Sequence, residues 1–324
     1  MHSVCRLPFV ALLLLVPVQG AAQPVESADI PRTPWGRPVL QGVWTNSSLT
    51  PLERPEEYGE REFLTAEELV ELQRGAVQGR IDALPEPEAT LAVEFSEIWM
   101  EPGPLSGRTS LVTGPTGRIP AYTDAALARL ADGLRQPLTQ RADSHDDRGY
   151  SERCLRFVTG GPPMMAFPFA PLLQIFQTPD HVVIQNEENH EIRVIPLEDR
   201  PHVDPRILLW RGDSRGRWEG ETLVVETTNF TDKASFTGLP YQRGGSSENM
   251  HLVERFTRAA AGQLMYEFTV TDPAAWTQPW TAVIPMRLTD SPMFEYACHE
   301  GNYAMFNILT GSRAKERAAD DAAR

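Results

Sequence analysis

From residue 172 onward the chain is a series of short apolar, β-branched runs separated by turn residues, and this rhythm restricts it to an antiparallel β fold. The runs cover residues 172–178, 181–186, 192–197, 206–210, 223–228, 252–258, 264–271, 280–288 and 293–299. Short strands at regular spacing with turn signals between them indicate a sandwich or a barrel. No helical pattern interrupts them, which favours an up-and-down meander. Alternation is clearest where Leu264, Tyr266, Phe268 and Val270 share one face and Met265, Glu267, Thr269 and Thr271 the other, because side chains alternate along a strand.

The N-terminal half reads differently. Residues 23–60 are rich in proline and charge around one apolar island, which predicts a first strand within 39–46. Thr65 and Glu68 have the spacing of a capping box, and Leu69 and Leu72 carry a helical face on to about Arg80. Prolines 85, 87, 102 and 104 then mark an extended crossing, with a short strand at 109–112 closed by the turn Gly114-Pro115-Thr116-Gly117. Thr123 caps a second helix with Leu127, Leu130 and Leu134 on one face. The expectation is an arm over 23–150 whose short helices pack on a β body over 151–311. A charged, alanine-rich tail at 312–324 would be a frayed helix or disordered.

The first residues bound the compartment. Arg6, an apolar stretch from Pro8 to Val18 and the small residues Gly20-Ala21-Ala22 follow the order of a secretory signal, which predicts removal of residues 1–22. The apolar stretch is short of the roughly 20 residues that span a bilayer, and no later segment is long and apolar enough. The mature protein is therefore expected to be soluble in the periplasm or outside the cell. Nearly all its positive charge is arginine, with lysine only at 233 and 315, a habit of GC-rich bacterial genomes. A net charge of −14 argues against nucleic acid or an anionic membrane as partner, since both need a basic surface. Cys5 leaves with the leader. Cys154 and Cys298 are then a candidate disulfide in an oxidising compartment, the alternative being two separate thiols.

One local motif bears on the type of β body. Gly42-Val43-Trp44 opens the first predicted strand and resembles the Gly-x-Trp of lipocalin-like (calycin) barrels, in which the indole plugs the closed end. In wider texture, residues 218–230 (WEGETLVVETTNF) and 295–303 (EYACHEGNY) are similar to a group of exported bacterial proteins with no assigned activity. The resemblance implies an antiparallel up-and-down, lipocalin-like barrel with an irregular, partly helical N-terminal region. It also implies a pocket for a small hydrophobic or aromatic ligand, without implying catalysis.

The polar residues supply candidates for chemistry. Glu295, Cys298, His299, Glu300, Asn302 and Tyr303 form the densest constellation, on the last predicted strand and its exit. An imidazole steadied by a carboxylate is equipment for general acid–base work, so His299 is the candidate base or acid. Glu300, Glu254 or Asp272 would be its carboxylate counterpart. The plainer alternative is a strand-end histidine satisfied locally. Glu254 and Arg255 are neighbours in a strand run, so one must face inward and be paired there, with Arg287 and Glu267 as possible partners. Arg255, Asn229, Tyr303, Tyr266, Trp280 and Trp218 are candidates to orient or wall a substrate; Trp276 and Trp280 suit a pocket rim or a plug equally.

Residues 187–191 (EENHE) read as an exposed hairpin tip, 143–148 as a polar loop able to hold a cation, and 213–216 as a turn. The apolar, proline-stiffened segment 160–169 either lids the mouth or fills the core. Metal dependence through His145, His190 or His299 remains a third possibility, although no metal site is assigned. His-Glu-x-x-His, Cys-x-x-Cys, Gly-x-Ser-x-Gly, phosphate-loop and dinucleotide signatures are all absent. Two functions follow. One is a periplasmic enzyme, a lyase, isomerase, hydratase or hydrolase without a redox cofactor, acting on a small apolar or aromatic molecule. The other is a non-catalytic carrier of such a ligand.

Overall fold

A computed structural model describes residues 30–82, 101, 103–134, 142–148, 153–155, 159–232 and 248–324. The expected signal peptide and its cleavage point lie outside the described residues. Nine strands form one antiparallel sheet: β1 Gly42–Thr45, β2 Leu172–Gln177, β3 His181–Asn186, β4 Ile192–Pro196, β5 Asp213–Glu219, β6 Thr222–Thr228, β7 His251–Ala260, β8 Gln263–Thr271 and β9 Trp280–Thr289. Three helices accompany it: α1 Ala66–Asp82, α2 Asp124–Leu134 and α3 Ala304–Ala322. The sheet order is β4-β3-β2-β1-β9-β8-β7-β6-β5, so each strand lies beside its sequence neighbour and β9 returns to β1. That is the expected meander. It is not closed into a barrel, because among the described residues no ladder joins β4 to β5.

The sheet nevertheless curls until its two edges meet through side chains. A Cβ at Gly216 of β5 would lie 2.7 Å from Leu197 Cδ2 and 2.9 Å from Ile195 Cγ2. Glycine there lets the β4 edge pack on bare backbone. Alternation sets what the curl encloses. Leu252, Glu254, Phe256 and Arg258 of β7 and Leu264, Tyr266, Phe268 and Val270 of β8 are all buried, as the period-2 pattern requires. Rings stack through this interior, with centroids 5.0 Å apart for Phe256 and Tyr266 and 5.6 Å for both Tyr266–Phe268 and Phe268–Trp280.

Gly42-Val43-Trp44 lies on β1 with its indole turned into the interior. The Trp44 indole is fully buried, donates from Nε1 to Leu40 O at 2.8 Å and lies 4.8 Å beneath the Arg258 guanidinium. Gly42 has φ +142°, and a Cβ there would meet Leu288 Cδ1 at 2.7 Å. The segment 160–165 fills the core instead of lidding it. Its backbone is hung on four elements: Asn186 Nδ2 donates to Gly160 O, Arg211 Nη1 to Gly161 O, Met164 N to Tyr266 Oη and Asn46 Nδ2 to Met165 O, all within 2.8–3.1 Å.

The arm follows its local signals. Thr65 N donates to Glu68 Oε2 at 2.8 Å and Glu68 N to Thr65 Oγ1 at 3.2 Å, the reciprocal capping box at the start of α1. Ala126 N donates to Thr123 Oγ1 at the start of α2, but Leu127 is half exposed. Residues 109–112 form no strand and make one isolated bridge, Val112 to Ala282; Val283 N donates to Leu111 O and Thr113 N to Thr281 O, adding the arm to the part of β9 that β1 leaves open.

Two further predicted strands do not form. Around residues 206–210 the side chain of Asp204 accepts from Arg206 N and Nε, turning the chain, and only Leu209 bridges Phe230. Residues 293–299 leave the sheet after Pro292, which has no N–H for a ladder, since β9 already has β8 and β1 beside it. The C-terminal tail is part of continuous helix α3, none of whose residues is buried.

Candidate functional site

The residues singled out for catalysis do not converge. His299, Glu300 and Tyr303 are exposed around the turn before α3. His299 forms no ion pair among the described residues. The last strand expected to carry it, 293–299, does not form. Glu254 is 0 % exposed. One of Glu254 and Arg255 was expected to face inward; it is Glu254, and its partner is Arg193 of β4 and not Arg287. The guanidinium donates to Glu254 Oε1 at 3.1 and 3.2 Å and stands 2.9 Å from Oε2, and the Tyr266 hydroxyl donates to Oε1 at 2.8 Å. Burial and the Glu254 charge push the Tyr266 hydroxyl well above its ordinary pKa. This network is buried in the interior of the sheet.

The remaining candidates have local partners. Asp272 is buried and caps a turn, accepting from Ala274 N at 3.0 Å. Arg255 faces outward, 3.0 Å from Glu219 and 3.9 Å from Glu267. Asn229, at φ +60°, donates to the carbonyls of Val203, Asp204 and Ile207. Trp280 is buried edge-on to Trp276, and Trp218 lies under the Arg37 guanidinium. Cys154 and Cys298 form the disulfide, Cα to Cα 5.7 Å, tying the 153–155 segment to the exit from the sheet.

The arrangement that does bring acid, base and cavity together lies where residues 293–295 cross the β3–β4 hairpin. An open groove of about 350 Å³ is lined by Gln185, Glu187, His190, Met293, Phe294 and Glu295. The hairpin reverses through Asn189 at φ +54° and His190 at φ +50°. Asparagine and histidine are among the few non-glycine residues that tolerate this left-handed region, and such backbone gathers at functional sites. His190 Nε2 consequently lies 3.6 Å from Glu295 Oε1. Phe294 N donates to Glu187 Oε1 at 2.9 Å, which docks the crossing segment on the hairpin.

The expectation of an exposed EENHE tip is corrected, since Glu187 and Glu188 are buried and only His190 is exposed. Three neighbours cover them: Leu172 O accepts from Glu187 N, Thr159 Oγ1 donates to Glu188 Oε2 at 2.5 Å, and Phe294 docks as above. Burial pushes the Glu188 carboxyl up to about 8, against the opposing hydrogen bond from Thr159 and the Arg211 charge. Burial likewise raises Glu187, partly offset by the Phe294 and Leu172 amides, and raises the Tyr296 hydroxyl, to which the Glu188 charge adds.

A carboxyl whose folded pKa exceeds its unfolded value makes the fold bind more protons than the unfolded chain. Stability attributable to Glu188 is therefore full below its ordinary value of 4.5, declines as pH rises toward about 8 and is flat above. Glu188→Gln is expected to leave the melting temperature unchanged near pH 4 and to raise it near pH 8. An equal melting temperature at both pH values would contradict the buried neutral carboxyl.

A second imidazole–carboxylate cluster lies on the outer face of β5–β7. His202 Nδ1 is 2.9 Å from Asp213 Oδ2, which also accepts from Val203 N, and Arg215 donates to Asp213 Oδ1. Burial opposes ionisation of Asp213, but these hydrogen bonds outweigh it and hold its carboxyl below the usual range. His251 Nε2 is 2.6 Å from Glu226 Oε1, whose pKa is lowered by that bond. The surrounding Arg217, Glu219 and Arg255 pair with one another on the strands. The cluster tethers the 202–209 loop. The expected turn at 213–216 is in fact part of β5.

Among the described residues, no three His, Cys, Asp or Glu side chains are grouped to hold a metal ion, and His145, His190 and His299 belong to no such set. No helix among them is long and apolar enough to cross a membrane. No family model matches the chain, and neither the curated proteins nor the solved structures contain a significant match.

Proposed function

We propose that this is an exported enzyme acting by general acid–base chemistry on a small molecule with an apolar or aromatic part, bound in the groove between the β3–β4 hairpin and residues 293–295. The observation that carries the reading is His190 Nε2 at 3.6 Å from Glu295 Oε1 on the wall of a groove that also presents Met293 and Phe294. A carboxylate beside an imidazole orients the ring, and an imidazole so placed can take and return a proton. The carboxyl of Glu187 in the same groove, whose pKa burial raises, is a second group able to carry a proton, and the Gln185 amide a neutral donor or acceptor. Such a set serves a lyase, isomerase, hydratase or hydrolase.

Export is supported by the apolar leader and by the Cys154–Cys298 disulfide, a bond that persists in oxidising compartments. We read the curled sheet as a lipocalin-like cup opened along one seam, on the strength of the meander order and the inward-turned Trp44 indole. A carrier working through such a cup needs interior space, and here Met164, Met165 and the Phe256–Tyr266–Phe268 stack occupy the interior. That favours the enzyme at the surface groove.

The test is turnover of a panel of aromatic and alicyclic esters, hydroxy-ketones and enones by the purified mature protein. His190→Gln is expected to lower kcat by about 10²–10⁴-fold with little change in KM, while His299→Gln leaves both unchanged. Equal rates for the wild type and His190→Gln, or loss confined to His299→Gln, would overturn the assignment.

A further inference from the structure

Glu187 is 8 % exposed and lines the groove, yet it forms no ion pair with any arginine, lysine or histidine among the described residues. Among the described residues its carboxyl accepts from the amide of Phe294, and the neighbouring charge acting on it there, Glu101, has the same sign. A carboxylate held out of water without a cation is costly, and a fold keeps such a group where something else supplies the charge. The rest of the groove fits a cation too. Glu295 adds a second carboxylate, and no arginine or lysine is among the lining residues. Phe294, 69 % exposed, offers a ring face of the kind that attracts ammonium groups. Met293 supplies an adaptable apolar wall.

From this we infer that the groove binds a small organic ammonium ion, with its charge on Glu187 and Glu295 and its apolar body against Phe294 and Met293. The inference rests on the groove as the working site and names the class of molecule it takes. The imidazole of His190, beside the same carboxylates, would then act on a proton near the bound nitrogen.

The experiment titrates the full mature protein with 2-phenylethylammonium and, separately, with its neutral isostere 2-phenylethanol, following amide and methyl NMR signals of the groove. The ammonium is expected to bind in the millimolar range or tighter and to shift signals of Phe294, Met293 and His190. The alcohol is expected to bind at least about tenfold more weakly, the loss that removing one charge-assisted contact brings. Glu187→Gln, which keeps an acceptor for Phe294 N, should abolish the preference for the ammonium while melting at or above the wild-type temperature. Glu300→Gln, on the exposed turn, should leave it intact.

Equal affinities for the two probes, an unchanged preference in Glu187→Gln, or no saturable binding of the ammonium at tens of millimolar would each overturn the inference. Failure of the enzyme reading looks different. Ammonium binding without His190-dependent turnover removes catalysis and keeps the cation site, whereas His190-dependent turnover of neutral substrates that is indifferent to Glu187→Gln does the reverse.

Discussion

Replacing Arg193 by methionine is expected to lower the unfolding free energy by about 3–5 kcal/mol, the cost of stranding one partner of a buried ion pair. The side chain reaches from β4, one end of the sheet order, to Glu254 on β7, near the other end. Without it the Glu254 carboxylate keeps one hydrogen bond, from Tyr266, among the aromatic rings of β7 and β8. Tyr266 is in turn the acceptor for Met164 N, so the disturbance passes to the segment that fills the interior. The double variant Arg193→Met, Glu254→Leu should recover most of the loss, because two apolar side chains replace the pair without leaving a charge behind. Urea unfolding of the three proteins measures this. A single-variant loss below about 1 kcal/mol would mean that the pair is not what holds the two edges of the sheet together.

Removing the Cys154–Cys298 disulfide by Cys154→Ser, Cys298→Ser is the second large effect. The bond closes a loop of sequence separation 144, for which the chain-entropy treatment gives about 5 kcal/mol as an upper value. The structural consequence is local as well. Helix α3 has no buried residue, and the docking of 293–295 rests on single bonds such as Phe294 N to Glu187. Without the disulfide the C-terminal segment is expected to exchange its amides and to be cleaved by protease well before the sheet unfolds, and the groove should lose its Met293–Phe294–Glu295 wall. If segment and sheet instead open in one transition, the disulfide contributes only to global stability.

Much of the β body was legible in the chain. Apolar runs between turn residues located eight of the nine strands, and alternation separated the two faces of 264–271 residue by residue. The reciprocal Thr65–Glu68 cap needed only four residues of spacing. The pairing of Cys154 with Cys298 followed from there being two cysteines after the leader. The site was less legible. His299 and Glu300 have the chemistry of an acid–base pair, but a chain leaving a filled sheet at Pro292 takes them to an exposed turn. EENHE is as polar as any solvated tip, and no local signal says that Thr159, Leu172 and Phe294 will bury it. His202 and Asp213 are eleven residues apart and meet only because the intervening loop folds back on β5.

The division follows from the range of the forces involved. Turn residues, caps and alternation act within a few positions, so the sequence alone determined most of the strands and their succession as a meander, while β5, read as a turn, and the runs at 206–210 and 293–299 were decided by tertiary contacts. Curl is a collective property of nine paired strands. It decided that Arg193 and Glu254 meet across the interior and that Gly216 seals an unladdered seam. The tertiary fold likewise set residues 293–295 beside the left-handed Asn189–His190 turn, and so brought His190 to Glu295.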